Sequence, residues 1–128
     1  MTERQHMLQI KTAFESAGHK FEIMYDSGKV KYNSQKFDAI LALRGHAGFC
    51  FIEAKMNNKT LTDAQYMFQV DCFRKGIPFY VLRIDNISYG IYELLGNGFE
   101  HHIDYCLDLT KLVELFVKLC TFKDIELA

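Results

Sequence analysis

The sequence predicts an α/β (α+β) domain with a central mixed β-sheet flanked by helices. Three observations predict it. Residues 49–55, 62–75 and 79–84 read as strand, helix and strand in succession, a unit with parallel strands and a right-handed crossover. Two apolar runs, 37–44 and 49–55, flank the glycine-framed turn Gly45-His46-Ala47-Gly48 and read as an antiparallel hairpin. Thr-x-x-Gln signatures, Thr2 with Gln5 and Thr62 with Gln65, open two amphipathic segments.

The elements follow in order. After Thr2, the residues Met7, Ile10, Phe14 and Ala17 recur at helical intervals, and Gly18 supplies a stop. Short strands are expected at 21–25 and 30–32, joined by Asp26-Ser27-Gly28-Lys29. The hairpin follows, then a polar loop, 56–61. The second helix should turn Ala64, Met67, Phe68, Cys72 and Phe73 to the core and end at Gly76, with Pro78 beyond it. The dense apolar run 79–84 reads as a buried strand, and 89–94 as a further one. Asp108 or Thr110 should cap a last helix carrying Leu109, Leu112, Val113, Phe116, Leu119 and Cys120 on one side. Leu115 and Val117 widen that stripe, so the helix completes the core or forms a dimer surface.

Length and composition exclude several classes. A chain of 128 residues fits one domain, here a core of about 1–95 with an added helical element over about 96–128. Aromatic residues reach 14% and no low-complexity run appears, which argues against disorder. No apolar stretch approaches the roughly 20 residues of a membrane span. The first residues, Met1-Thr2-Glu3-Arg4-Gln5, form no apolar signal core, so a cytoplasmic location is expected. The four cysteines form no CxxC pair, and Cys50, Cys72 and Cys120 lie among apolar neighbours, so inert reduced thiols are expected. His101-His102 lacks helical ligand spacing.

The net charge of −1 conceals an asymmetry. Residues 1–83 hold 12 Lys+Arg and 8 Asp+Glu, whereas residues 84–128 hold 3 and 8. The first part is therefore weakly basic, as a DNA-facing surface requires, and the second is acidic.

The residues that carry chemistry are Asp38, Glu53 and Lys55. Strand alternation turns Glu53 and Lys55 to the same face as Phe49 and Phe51, with Cys50, Ile52 and Ala54 on the other. A two- or four-residue hairpin loop pairs Arg44 with Phe49, Ile40 with Glu53 and Asp38 with Lys55. Asp38 and Glu53 then become diagonal neighbours, about 7 Å apart at the backbone. Alone, a Glu-x-Lys tripeptide is most often a surface ion pair. At the end of a buried strand, charged residues need a reason to be there. Two adjacent carboxylates repel unless a proton or cation lies between them. Mg²⁺, with Mn²⁺ as a substitute, suits Asp38, Glu53 and the backbone carbonyl of Ala54. Such a cation polarises a phosphodiester and activates water, and Lys55 orients that water or stabilises developing charge.

The series Phe37-Asp38, then Gly48-Phe49-Cys50-Phe51-Ile52-Glu53-Ala54-Lys55, then Leu61-Thr62-Asp63-Ala64-Gln65, then Gly76-Ile77-Pro78-Phe79-Tyr80-Val81-Leu82-Arg83 resembles the PD-(D/E)XK nuclease superfamily. Within it the chain is most similar to VRR-NUC domains and, more loosely, to RecU-type Holliday-junction resolvases. The resemblance covers about residues 37–84 and, more weakly, the first helix. It implies a restriction-endonuclease-like fold, with Asp38 and Glu53 as metal ligands and Lys55 as the catalytic lysine. It places Gln65 near the catalytic centre, and Glu3 matches a first-helix acidic residue that completes the metal site. Gln65 is also the capping partner of Thr62. One amide is expected to fill only one of these roles, and the site role is favoured. Phe37 stands where many members carry proline, and Asp38 lies 15 residues before Glu53.

The function so implied is metal-dependent hydrolysis of DNA phosphodiester bonds, endo- or exonucleolytic, on flapped or branched structures. Lys59, Asn57 and Arg83 are candidate DNA contacts. A homodimer would place two sites to cut both strands. Compact size suggests a phage or mobile-element setting. The alternatives are a non-catalytic nucleic-acid-binding or regulatory module that keeps the nuclease fold, and a small protein-interaction domain with an accidental Glu-x-Lys.

Overall fold

A computed structural model describes residues 1–24, 37–46, 48–57, 59–86, 88–95 and 99–127, with side chains to residue 120. The expected strand at 30–32, its turn at 26–29 and Ala47 lie outside the described residues. The chain runs α1 (Glu3–Ser16), β1 (Lys20–Ile23), β2 (Ala39–Ala42), β3 (Cys50–Met56), α2 (Asp63–Lys75), β4 (Phe79–Ile84), β5 (Tyr89–Leu94), β6 (Glu100–Cys106), α3 (Leu109–Leu127). The strands form one mixed sheet in sequential order, with β3–β4 parallel and the other neighbours antiparallel.

The local signals act as their chemistry dictates. Both capping boxes form, Thr2 with Gln5 and Thr62 with Gln65. Gly76 takes the left-handed conformation at the end of α2, with φ +72°, where a side chain would be strained. Asp108 caps α3 by accepting from the Lys111 N–H at 2.8 Å.

The two sheet faces are packed differently. Met7, Ile10 and Phe14 of α1 and Leu112, Val113 and Phe116 of α3 cover Leu41, Ile52, Ala54, Tyr80, Leu82 and Ile91. Leu115, Val117, Leu119 and Cys120 also pack against this cluster, so the broad apolar surface of α3 serves the core. The opposite face carries Phe51, Phe79 and Val81 beneath Phe68 and Cys72 of α2. Among the described residues no helix is long and apolar enough to cross a membrane.

Three expectations are corrected. First, Ala39 pairs with Ile52 and Leu41 with Cys50, so the hairpin register is shifted by two residues, which brings Asp38 beside Glu53 and not Lys55. The cause is an earlier turn. His46 N–H donates to the Leu43 carbonyl at 3.1 Å, Gly45 has φ +82°, and the Arg44 N–H is taken by His19 Nδ1 at 2.9 Å. Arg44 is thereby unavailable to Phe49. Because the shift is even, every side chain keeps its face. Second, α2 buries Gln65, Gln69 and Cys72 and leaves Met67 and Phe73 about half exposed. Third, the segment expected to add only a helical element holds the strand β6 before α3.

Candidate active site

Asp38 is fixed by its backbone before its carboxyl does anything. Its N–H donates to the Ile52 carbonyl at 2.9 Å, and its carbonyl accepts from Met24 N–H at 2.8 Å. It lies one residue beyond the paired part of β2, and its side chain prolongs the ladder: Oδ2 accepts the Ala54 N–H at 2.8 Å. Phe51 donates to the Pro78 carbonyl just before β4 and Asn57 to the Ile84 carbonyl within it, so the backbone groups of the odd residues of β3 face β4 and those of the even ones face β2. The Ala54 carbonyl is therefore directed to the same edge as Asp38.

Glu53 projects from the α2 face of β3 and is 1% exposed. Its Oε1 accepts from Gln65 Nε2 at 2.6 Å and lies 3.6 Å from Lys55 Nζ. Its Oε2 is buried and receives no donor, and the carboxyl meets that of Asp38, close enough to share a proton. Burial, then the neighbouring Asp38 charge, pushes the Glu53 pKa from 4.5 to about 9, against the opposing pull of Lys55. Burial also raises Asp38, opposed by the Ala54 N–H, a hydrogen bond with the Glu53 carboxyl and Lys55. Without a cation, a proton must separate the two carboxyls.

Glu3 joins this group from the first turn of α1. Its pKa is raised by burial and then by Asp38, and lowered by Lys55, Lys59 and the Met56 backbone N–H. Three carboxyls and two ammonium groups thus share one electrostatic neighbourhood.

Gln65 fills both of the roles treated as exclusive. Its Oε1 accepts the Thr62 N–H at 2.9 Å while its Nε2 donates to Glu53. An amide has separate acceptor and donor ends, and the helix N-terminus lies over Glu53, so one side chain serves both.

The three candidate DNA contacts separate. Arg83 engages both carboxylate oxygens of Glu100, with Nε at 2.8 Å from Oε2, and donates from Nη1 to the Lys59 and Asn57 carbonyls at 2.6 and 3.3 Å. Its guanidinium is thus committed to the fold, where it ties the loop after β3 to β6. Asn57 turns the chain out of β3 with φ +52°, a conformation asparagine tolerates. Lys59 is exposed, with its charge felt at Glu3.

Sequence reasoning missed Glu100 as the partner of Arg83, and also Gln69. The latter is 2% exposed and donates from Nε2 to the Leu94 carbonyl at 2.9 Å. Its spacing of four from Gln65 puts both amides on one helix face, a signal that could have found it.

Among the described residues, no three His, Cys, Asp or Glu side chains come together at metal-binding spacing. Mg²⁺ needs only one or two carboxylates, with water and substrate oxygens completing its shell. The buried Glu53 carboxyl, which receives no donor at Oε2 and meets the Asp38 carboxyl, fits that requirement. No protein-family model and no curated protein matches the chain.

Proposed function

We propose that the chain is a divalent-cation-dependent nuclease that hydrolyses DNA phosphodiester bonds at the Asp38–Glu53–Lys55 group. The observation that carries this reading is Glu53 itself. A carboxyl that is 1% exposed, receives no donor at one oxygen and meets a second carboxyl there can ionise only at a cost to the fold. The cost is offset when a cation is shared by Asp38 and Glu53. The resemblance of residues 37–84 to PD-(D/E)XK nucleases supports the same assignment.

Asp38, Glu53 and the Ala54 carbonyl would hold Mg²⁺ or Mn²⁺. When bound, the cation supplies Lewis-acid polarisation of the phosphate and a more acidic water. The Lys55 ammonium, 3.6 Å from Glu53 Oε1, offsets the charge gathering on the phosphate oxygens as water attacks phosphorus and the P–O bond breaks. Gln65 holds Glu53 in place through its 2.6 Å hydrogen bond. Glu3 and Lys59 sit at the rim, where Lys59 can meet the DNA backbone.

The test is cleavage of labelled single-stranded, duplex, flapped and four-way DNA with Mg²⁺ or Mn²⁺. Cleavage that disappears in Glu53→Ala and Lys55→Ala supports the reading. DNA binding without cleavage of any substrate favours the non-catalytic module.

A further inference from the structure

A second feature lies on the same sheet face as Lys55. Lys55 pairs with Arg83, Arg83 with Gly90, and Gly90 with Tyr105, so these four residues cross the sheet in one row. Three strand spacings separate Lys55 from Tyr105, about 14 Å at the backbone. Beyond Arg83 the row opens into a cleft of about 510 Å³, within the range of ligand sites.

Aromatic rings line that cleft. Tyr92 and His102 have centroids 4.9 Å apart, and His102 and Tyr105 are stacked at 6.3 Å with 26° between planes. Tyr105 is 62% exposed. A Cβ on Gly90 would lie 2.8 Å from Tyr92 Cε2, so the Tyr92 ring rests against the glycine backbone. Glycine here permits a ring position that any side chain would disturb.

We propose that Tyr92, His102 and Tyr105 form a stacking platform for an unpaired base of a DNA single strand whose backbone runs toward Lys55. The proposal rests on the nuclease reading for its choice of nucleic acid as occupant. An unpaired base offers a free π-face, whereas bases within a duplex already cover one another. Arg83 is neutralised by Glu100, so the cleft receives a base and not a phosphate. Phosphates are left to the row's other end, at Lys55 and exposed Lys59. The platform thereby selects DNA with a single-stranded segment beside the bond to be cut.

The experiment is fluorescence anisotropy in EDTA, with a labelled single-stranded oligodeoxynucleotide and a blunt duplex of the same sequence as probes. Tyr105→Ala and His102→Ala should each weaken single-strand binding about 10-fold, the loss of one stacked base. Tyr105→Phe should stay within about 2-fold, since it keeps the ring. Unchanged single-strand affinity in both alanine variants overturns the proposal, as does an equal loss on the duplex or a wild type that does not bind the single strand. Mg²⁺-dependent cleavage by the same proteins separates the two readings. Stacking-dependent binding without cleavage keeps the platform and removes the nuclease. Cleavage with platform-independent binding does the reverse. Thermal melts confirm folding, and exposed Tyr105 should leave the melting temperature nearly unchanged.

Discussion

Gln65 donates to the buried Glu53 at 2.6 Å while it closes the capping box of α2 with Thr62. The position of the carboxylate and the start of the helix are therefore one structural event. Thr62→Ala should remove the cap alone, at a cost of about 1 kcal/mol in urea unfolding. Gln65→Ala should cost more, about 2 kcal/mol, because it also strips the last neutral donor from a buried carboxylate. The decisive contrast is catalytic: Gln65→Ala should slow cleavage, and Thr62→Ala should leave it nearly unchanged. Equal effects of the two variants on cleavage would show that the Gln65–Glu53 bond adds nothing beyond the cap.

The raised pKa of Glu53 gives a pH dependence with a definite sign. Unfolded, the group ionises near 4.5, and folded without a cation it keeps its proton to about 9. The native state then binds more protons than the unfolded state across that window. Stability should be fully present below about pH 4.5 and fall as pH rises, at up to about 1.4 kcal/mol per pH unit for one proton. Asp38 and Glu3 are shifted in the same direction. Melting temperatures in EDTA at about pH 5 and about pH 8 check this. Glu53→Gln should flatten the profile, and Mg²⁺ should raise the melting temperature more at the alkaline end, where it competes with fewer protons.

Arg83 of β4 and Glu100 of β6 join strands across 17 residues of sequence. With side chains 19% and 23% exposed, the pair is shielded enough to matter. Arg83→Ala should destabilise by about 2 kcal/mol and Glu100→Ala by about 1 kcal/mol, because Arg83 also satisfies two loop carbonyls. The double variant should cost less than the sum, and strict additivity in urea unfolding would show the pair to be uncoupled.

The last helix belongs to the core. Phe116 is fully buried, with its ring 5.7 Å from both Phe14 and Tyr80. Phe116→Ala should cost about 3–5 kcal/mol, measured by urea unfolding. A loss below about 1 kcal/mol would mean that the helix is appended, since burial of such a ring alone is worth more.

What the sequence revealed follows the range of the interactions. Capping boxes, the Gly76 stop and the faces of β3 are set by residues within a few positions, and all are readable. The hairpin register depends on His19 capturing the Arg44 N–H across 25 residues, which no local pattern reports. A two-residue slip preserves faces, so either register brings Asp38 to the side of Glu53. β6 escaped notice because it is an edge strand with charged and polar residues on both faces and no alternation to read. The face of α2 was misjudged for the opposite reason. Hydrophobicity pointed to Met67 and Phe73, while the helix turns Gln65 and Gln69 inward to serve Glu53 and the Leu94 carbonyl. A helix that covers a polar site violates the pattern that would locate it.

The central claim is that Asp38, Glu53 and Lys55 act together on a phosphodiester. Its most direct test is a single-turnover cleavage rate on a flapped DNA with Mg²⁺, for the wild type and for Asp38→Asn, Glu53→Gln and Lys55→Met. These near-isosteric changes keep the fold and remove charge. Each should lower the rate at least about 100-fold, and EDTA should abolish cleavage by the wild type. A wild type that cleaves at the same rate in EDTA, or variants that keep wild-type rates, would contradict the account.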